Sequence, residues 1–129
     1  MAGSELVVLV EDSPTQAKAI AMYLNQFGVE VLICDDGPAG INAVVEQQPA
    51  AVILDVNLPT MSGYQIARHL KRNPATAKIP VIMLTKLSQT KDMVAGLNHG
   101  ADHYIAKGPE AAEDLRKTLC AFGIIDWQA

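Results

Sequence analysis

The chain has 129 residues, of which 50% are hydrophobic and 19% are charged, a composition typical of one globular domain, residues 1–129, rather than of a disordered segment. Ten Lys and Arg residues against 14 Asp and Glu residues give a net charge of −4, which argues against direct, sequence-independent nucleic-acid binding. No apolar run is long enough to cross a membrane, and residues 1–5 lack the features of a signal peptide. Cys34 and Cys120 have no paired spacing. We therefore expect a cytoplasmic protein with reduced thiols and no membrane partner.

Short apolar runs predict the β-strands. Most of them are continuously apolar, which is typical of parallel strands that are covered on both faces. The predicted strands are residues 6–10, 29–34, 50–54, 80–85 and 103–106.

Amphipathic segments between these strands predict the helices. Ser13 is a suitable N-cap for the first of them, and in the second we expect Ile41, Val44 and Val45 to face the core. The predicted helices are residues 14–27, 38–48, 63–72, 89–99 and a last helix that opens at Pro109. Regular alternation of strands and helices predicts an α/β fold with parallel strands joined by right-handed crossovers.

Chemically active side chains stand where the predicted strands end, which is the edge of an open α/β sheet where binding sites form. They are Glu11 and Asp12 after the first strand, Asp55 after the third, Thr85 at the end of the fourth and Lys107 after the fifth. Any one of them alone would suit a helix cap or a solvated turn, but their joint occurrence predicts a site. Carboxylates held this close repel one another unless a cation intervenes, and hard oxygen ligands favour Mg²⁺ over zinc.

The space between Asp55, Thr85 and Lys107 suits a phosphoryl group. A carboxylate can act as the nucleophile in phosphoryl transfer and form an aspartyl phosphate. Lys107 would neutralise charge on the phosphoryl oxygens, and the Thr85 hydroxyl would donate a hydrogen bond. We therefore expect Asp55 to be the modified residue.

The blocks "LVVLVEDSPTQA", "VILDVNLPTMSGYQIARHLK", "IPVIMLTKLS" and "GADHYIAK" occur in the order and spacing of a known family. With them the chain resembles the receiver domain of two-component response regulators, the CheY-like superfamily, over nearly its whole length. The resemblance implies a flavodoxin-like, doubly wound sheet in the order 2-1-3-4-5 with five helices. It also implies phosphorylation of Asp55 by a histidine kinase or a histidine phosphotransfer protein, and a downstream protein bound on the face formed by helix 4, strand 5 and helix 5.

The resemblance further assigns roles to individual residues of the acidic site. It implies that Asp12 and Asp55 bind Mg²⁺ through their side chains, that Asn57 binds it through its backbone carbonyl, and that Glu11 holds a metal-bound water. Tyr104 would be the aromatic residue that turns on phosphorylation. Such a domain is not an enzyme for another substrate, because the phosphoryl group moves only to and from its own aspartate.

Two positions depart from the pattern of the family. Lys86 follows Thr85 where the family usually has a small residue, so it is either a solvated side chain or a second cation that modulates the phosphoryl group. Lys107 is followed by Gly108 and then Pro109 instead of directly by proline. We expect the freedom of Gly108 to preserve the path of the loop.

Three alternatives come from other classes of protein. A magnesium-dependent phosphohydrolase would need a second acid two residues after Asp55, where this chain has Asn57, and a flavodoxin would need a phosphate loop that "VEDSPTQ" does not supply. A phosphorylation-independent interaction module on the same fold stays open, although the complete set of strand-end residues disfavours it. No effector domain is expected within these residues, so the domain is either a stand-alone regulator or a piece of a longer protein.

Overall fold

A computed structural model describes residues 5–85 and 101–125, and within them five parallel strands form one sheet in the order β2-β1-β3-β4-β5. The strands are β1 (Glu5–Val10), β2 (Val29–Cys34), β3 (Ala51–Asp55), β4 (Val81–Thr85) and β5 (His103–Ala106). The helices are α1 (Pro14–Asn25), α2 (Gly37–Gln47), α3 (Gly63–Arg72) and α4 (Ala111–Ala121). The predicted sheet order is confirmed, and the helix predicted over residues 89–99 lies outside the described residues. None of the described helices has the length and hydropathy needed to span a membrane.

The sheet separates two hydrophobic clusters because successive strand residues point to opposite faces. On one face Leu9 and Ile53 pack with Leu24 of α1 and Leu115 of α4. The other face packs against α2 and α3, and its cluster contains Val8, Leu54, Val44, Ile66, Leu70 and Met83. Each such buried side chain stabilises the fold by about 1.5–3 kcal/mol, so the central strands hold their carboxyl ends in fixed positions.

Side-chain caps fix the starts of the first three helices. Each cap is a short polar residue directly before the helix, and its side chain accepts a hydrogen bond from a backbone N–H in the first turn. The pairs are Ser13 with Gln16, Asp36 with Ala39, and Ser62 with Gln65. Because each cap ends a loop from the carboxyl edge of the sheet, the caps also restrict the loops at that edge.

The last helix begins later than the sequence predicts. It starts at Ala111 and not at Pro109, because Pro109 lies in a turn in which the Ala111 N–H donates to the carbonyl of Gly108 at 3.1 Å. Glu110 provides no side-chain cap.

One prediction of burial is wrong, and one of the strands is partly exposed. Val45 is 41% exposed, because it directly follows the buried Val44 and neighbouring helical residues point about 100° apart. In β2, Leu32 and Ile33 are 38% and 42% exposed. The reason is that, among the described strands, β2 lies at an edge of the sheet and pairs with β1 alone.

A cluster of four side chains joins α1 to α4. The Tyr23 hydroxyl and the Arg116 guanidinium both donate to the Glu113 carboxylate. Arg116 also lies 5.3 Å from the centre of the Phe27 ring, and the Tyr23 and Phe27 rings pack edge to face at 5.4 Å. This cluster joins residues that are 90 positions apart in the sequence, and it holds the last helix against the first.

A polar network fixes the opposite, amino edge of the sheet. The Lys71 Nζ of α3 donates to the carbonyls of Ala77 and Ile79 at 3.1 and 2.9 Å, and it forms an ion pair with Asp102 at 2.8 Å. The same Asp102 oxygen accepts the N–H of Val81 at 2.7 Å. The starts of β4 and β5 are therefore bound to each other and to the end of α3.

Candidate functional site

Asp55 lies buried at the carboxyl edge of the sheet, with 2% of its surface exposed. The Val56 N–H donates to the Leu84 carbonyl at 3.1 Å, so the β3–β4 pairing continues past Asp55 and fixes its backbone. Described residues donate to both oxygens of the carboxylate: the Asn57 N–H lies 3.1 Å from Oδ1, and the Lys107 Nζ lies 2.8 Å from Oδ2. The buried apolar strand β3 thus holds the Asp55 carboxylate in a fixed orientation at the carboxyl edge of the sheet.

Glu11 is a second buried acid beside Asp55, with 2% of its surface exposed. Its Oε2 accepts the N–H of Ser13 at 3.2 Å, whereas its Oε1 has no hydrogen-bond partner among the described residues and lies 3.8 Å from the Lys107 Nζ. Burial, with a smaller contribution from the charge of Asp55, raises the pKa of Glu11 to about 7. The site therefore brings two buried carboxyl groups to one lysine.

The acids fit a hard divalent cation. Carboxylate oxygens of Glu11, Asp12 and Asp55 lie within 4.8 Å of one another, and Asp12 is exposed while the other two are buried. Mg²⁺ takes oxygen ligands and is usually bound through one or two carboxylates, with waters or phosphate oxygens completing its octahedron. The buried Oε1 of Glu11, which lacks a donor among the described residues, suits a group that carries positive charge or a metal-bound water.

Thr85 and Lys107 come from the side of β3 on which β4 and β5 lie. Thr85 ends β4 and is 1% exposed, and its carbonyl accepts the N–H of Lys107 at 2.7 Å. This bond ties the loop after β5 to the end of β4. The loop places the Lys107 ammonium on Asp55 without a directly following proline. Gly108 adopts a φ of +155°, which residues with side chains rarely adopt.

Tyr104 packs against the hydrophobic cluster on the side of α2 and α3. Its hydroxyl oxygen is buried and has no hydrogen-bond partner in the described part of the chain. Burial, followed by the nearby Tyr64, raises the pKa of Tyr104 to about 12. Lys86, which the sequence leaves as either a solvated side chain or a second cation, lies outside the described residues.

Gly63 was not predicted to belong to the site, although it shapes the acceptor loop. A Cβ atom on Gly63 would lie 2.5 Å from the Asp55 carbonyl oxygen, closer than real Cβ contacts allow, and the Gly63 N–H donates to the Val56 carbonyl at 2.9 Å. The signal in the sequence is a glycine directly after the N-cap Ser62. Such a glycine is compatible with close backbone approach at the start of α3, and it would equally suit a cap or a turn.

The sheet order and the acidic carboxyl edge with its lysine define a flavodoxin-like receiver fold. A family model described as the response regulator receiver domain matches residues 7–119. The chain belongs to this family.

Comparison with individual proteins gives the range of contexts in which similar domains occur. Protein PilH of Pseudomonas aeruginosa is 34% identical over 115 residues, which cover 89% of this chain and 94% of PilH. The DNA-binding dual master transcriptional regulator RpaA of Synechocystis is 33% identical over 111 residues, which cover 86% of this chain and 46% of RpaA. The chain therefore spans nearly all of one relative and less than half of the other.

Metal ions are present in more than one similar solved structure, and one example contains magnesium. It is the receiver domain of a sensor histidine kinase from Pseudomonas aeruginosa, with a magnesium ion coordinated in its active-site cleft. It is 29% identical, the match covers 95% of this chain and 99% of that chain, and the TM-score is 0.82.

Proposed function

We propose that this chain is the phosphoacceptor domain of a two-component phosphorelay, in which a histidine kinase or a histidine phosphotransfer protein donates a phosphoryl group to Asp55. The observation that carries the proposal is the Asp55 carboxylate, which is buried at the strand end, held by Lys107 at 2.8 Å, and grouped with two further acids. A structural ion pair needs one acid for one base. The two additional carboxylates in such a small volume are unfavourable unless a cation joins them.

The residues of this edge divide the work of binding the cation. The side chains of Asp12 and Asp55 and the backbone carbonyl of Asn57 would hold Mg²⁺, and Glu11 would hold one of its waters. Bound Mg²⁺ supplies positive charge that stabilises the phosphoryl oxygens during transfer.

In the transfer step, a carboxylate oxygen of Asp55 forms a bond to phosphorus while the P–N bond of the phosphohistidine breaks. The imidazole nitrogen keeps the electron pair of that bond and takes up a proton. The ammonium of Lys107 moves from Asp55 Oδ2 to a phosphoryl oxygen, and the Thr85 hydroxyl donates to another. Attack of water on phosphorus later releases inorganic phosphate and restores the carboxylate, so the chain turns over no substrate other than its own aspartyl phosphate.

The output follows from the neighbours of Thr85. When its hydroxyl turns toward the phosphoryl group, the space that it leaves admits the Tyr104 ring, and phosphorylation shifts the balance between two arrangements that exist beforehand. A downstream protein would then bind the face expected from the sequence, of which β5 and α4 belong to the described residues. The free thiols of Cys34 and Cys120 suit the reducing cytoplasm of a bacterium.

Intact-mass measurement after incubation with acetyl phosphate and Mg²⁺ tests the acceptor. We expect one phosphoryl group on the wild type, none on Asp55→Asn, and none on the wild type when a chelator replaces Mg²⁺. Asp35→Asn is the matched control, because Asp35 is an exposed acid outside the cluster and its loss should leave labelling unchanged. Equal labelling of the wild type and Asp55→Asn would contradict the assignment.

A further inference from the structure

The first residue of α2 contacts the loop that leads away from Asp55. A Cβ atom on Gly37 would lie 2.7 Å from the Cβ of Met61 and 2.8 Å from its Sδ, closer than real Cβ contacts allow. Gly37 does not have a positive φ, so its backbone alone would accept a side chain. It is the close approach of Met61 that requires glycine here.

The same loop is confined at both of its ends. At its start the Val56 N–H pairs with Leu84, and at its end Gly63 lies against the Asp55 carbonyl. Between these points Met61 is partly buried in the cluster on the side of α2 and α3. The loop has few residues, so the position of Met61 limits the path that the backbone can take at Asn57.

We propose that Met61, seated against Gly37, is a positioning residue for the metal-binding part of the acceptor loop. The seat holds the backbone of Asn57 where its N–H donates to Asp55 Oδ1 at 3.1 Å, and where its carbonyl would serve Mg²⁺. Through this contact the start of α2 supports a site to which α2 contributes no ligand. The inference rests on the proposed function for the metal, but the path of the loop can also be measured without it.

Gly37→Ala tests the seat directly. Because the Met61 Cβ lies next to the main chain, the added methyl group forces the loop to move and not only the tip of a flexible side chain. We expect the Mg²⁺ dissociation constant, measured by calorimetry, to rise about tenfold, as for other residues that orient metal ligands indirectly. In the metal-free protein the NMR shift of the Asn57 amide proton should change as its hydrogen bond to Asp55 is disturbed.

A second substitution separates the contact from general damage. Met61→Gly removes the seated side chain without creating a clash, and it too should weaken Mg²⁺ binding. In the Met61→Gly background, Gly37→Ala should have no further effect, because residues in contact are not additive. Thr76→Val is the control for stability: the buried Thr76 hydroxyl donates to the Leu70 carbonyl at 2.6 Å, away from the site, so its loss should destabilise the fold and leave Mg²⁺ binding unchanged.

The outcomes separate the two levels of the proposal. Failure of the wild type to bind Mg²⁺ would contradict the proposed function, while the Asn57 amide shift in the metal-free protein would still decide the role of Met61. Unchanged Mg²⁺ affinity and an unchanged Asn57 amide in Gly37→Ala would overturn the inference, and so would wild-type affinity in Met61→Gly. A full effect of Gly37→Ala in the Met61→Gly background would also overturn it.

Discussion

The hydroxyl group of Tyr104 should destabilise the unphosphorylated protein. Its oxygen is buried without a hydrogen-bond partner among the described residues. Such a group loses its bonds to water on folding and gains no bond from the described residues, at a cost of about 1–3 kcal/mol. Tyr104→Phe removes the oxygen and with it this cost. The substitution also leaves a gap smaller than a methyl group, and the gap offsets part of the increase in stability. We expect a net increase of about 1 kcal/mol in the free energy of unfolding, and about 4 °C in Tm for a chain of this size.

The pKa of the same hydroxyl gives the stability of the wild type a dependence on pH. Burial, and then the nearby Tyr64, raise this pKa from 10.0 to about 12. Between these values the unfolded tyrosine ionises while the folded one stays neutral, so the unfolded state binds fewer protons and the free energy of unfolding falls as pH rises. The advantage of Tyr104→Phe should therefore grow from pH 10 to pH 12.

Urea unfolding of the metal-free proteins, at neutral pH and across the alkaline range, measures both effects. Tyr23→Phe is the matched control, because the Tyr23 hydroxyl donates to Glu113 and its removal should lower stability instead. A Tyr104→Phe protein that is no more stable than the wild type at neutral pH would refute the reasoning.

Three further predictions concern other charged groups. Asp12→Ala should abolish Mg²⁺ binding in calorimetry. Because Asp12 is exposed, the free energy of unfolding of the metal-free variant should lie within about 0.5 kcal/mol of that of the wild type. A clear loss of metal-free stability would reveal a structural role. Hydrogen bonds from Arg116, more than any other cause, lower the pKa of Glu113 to about 2, so the stability that Glu113 contributes is present above pH 4.5 and is lost as pH falls from 4.5 toward 2. Acid unfolding of Glu113→Gln should show a smaller slope in that window, and equal slopes would contradict the prediction. Lys86→Ala should lose phosphate faster than the wild type in a dephosphorylation time course, and Lys86→Met separates charge from bulk; wild-type rates in both variants would leave Lys86 a solvated side chain.

The sequence predicted the carboxyl edge well because parallel strands carry their ends to one place. Asp55, Thr85 and Lys107 each follow an apolar run, and the rule that sites form beyond such ends needs no knowledge of side-chain contacts. The structure places all three together. The pattern of strands does not predict the charge balance of the site. Burial raises the pKa of Glu11 to about 7, and Lys107 forms ion pairs with both Glu11 and Asp55.

Contacts between distant residues could not be predicted in this way. Tyr23 and Glu113 lie 90 residues apart, and nothing local in either segment indicates the partner. Val45 was predicted to face the core because it is apolar and directly follows the apolar Val44. When two neighbouring helical residues are both apolar, the sequence does not show which of them faces the core. The contact between Met61 and Gly37 could not be predicted either, since a glycine at the start of a helix is equally suited to a cap or a turn.

The network around Lys71 and Asp102 makes the two edges of the sheet unequal. At the amino edge, hydrogen bonds and an ion pair bind the starts of β4 and β5 to α3, whereas the carboxyl edge carries the acidic cluster and its lysine. A tether or dye attached near the amino edge, for example at the exposed Lys78, would report on the molecule without touching the residues that bind or carry the phosphoryl group. Immobilised in this orientation, the domain would present its acceptor aspartate to partners in solution.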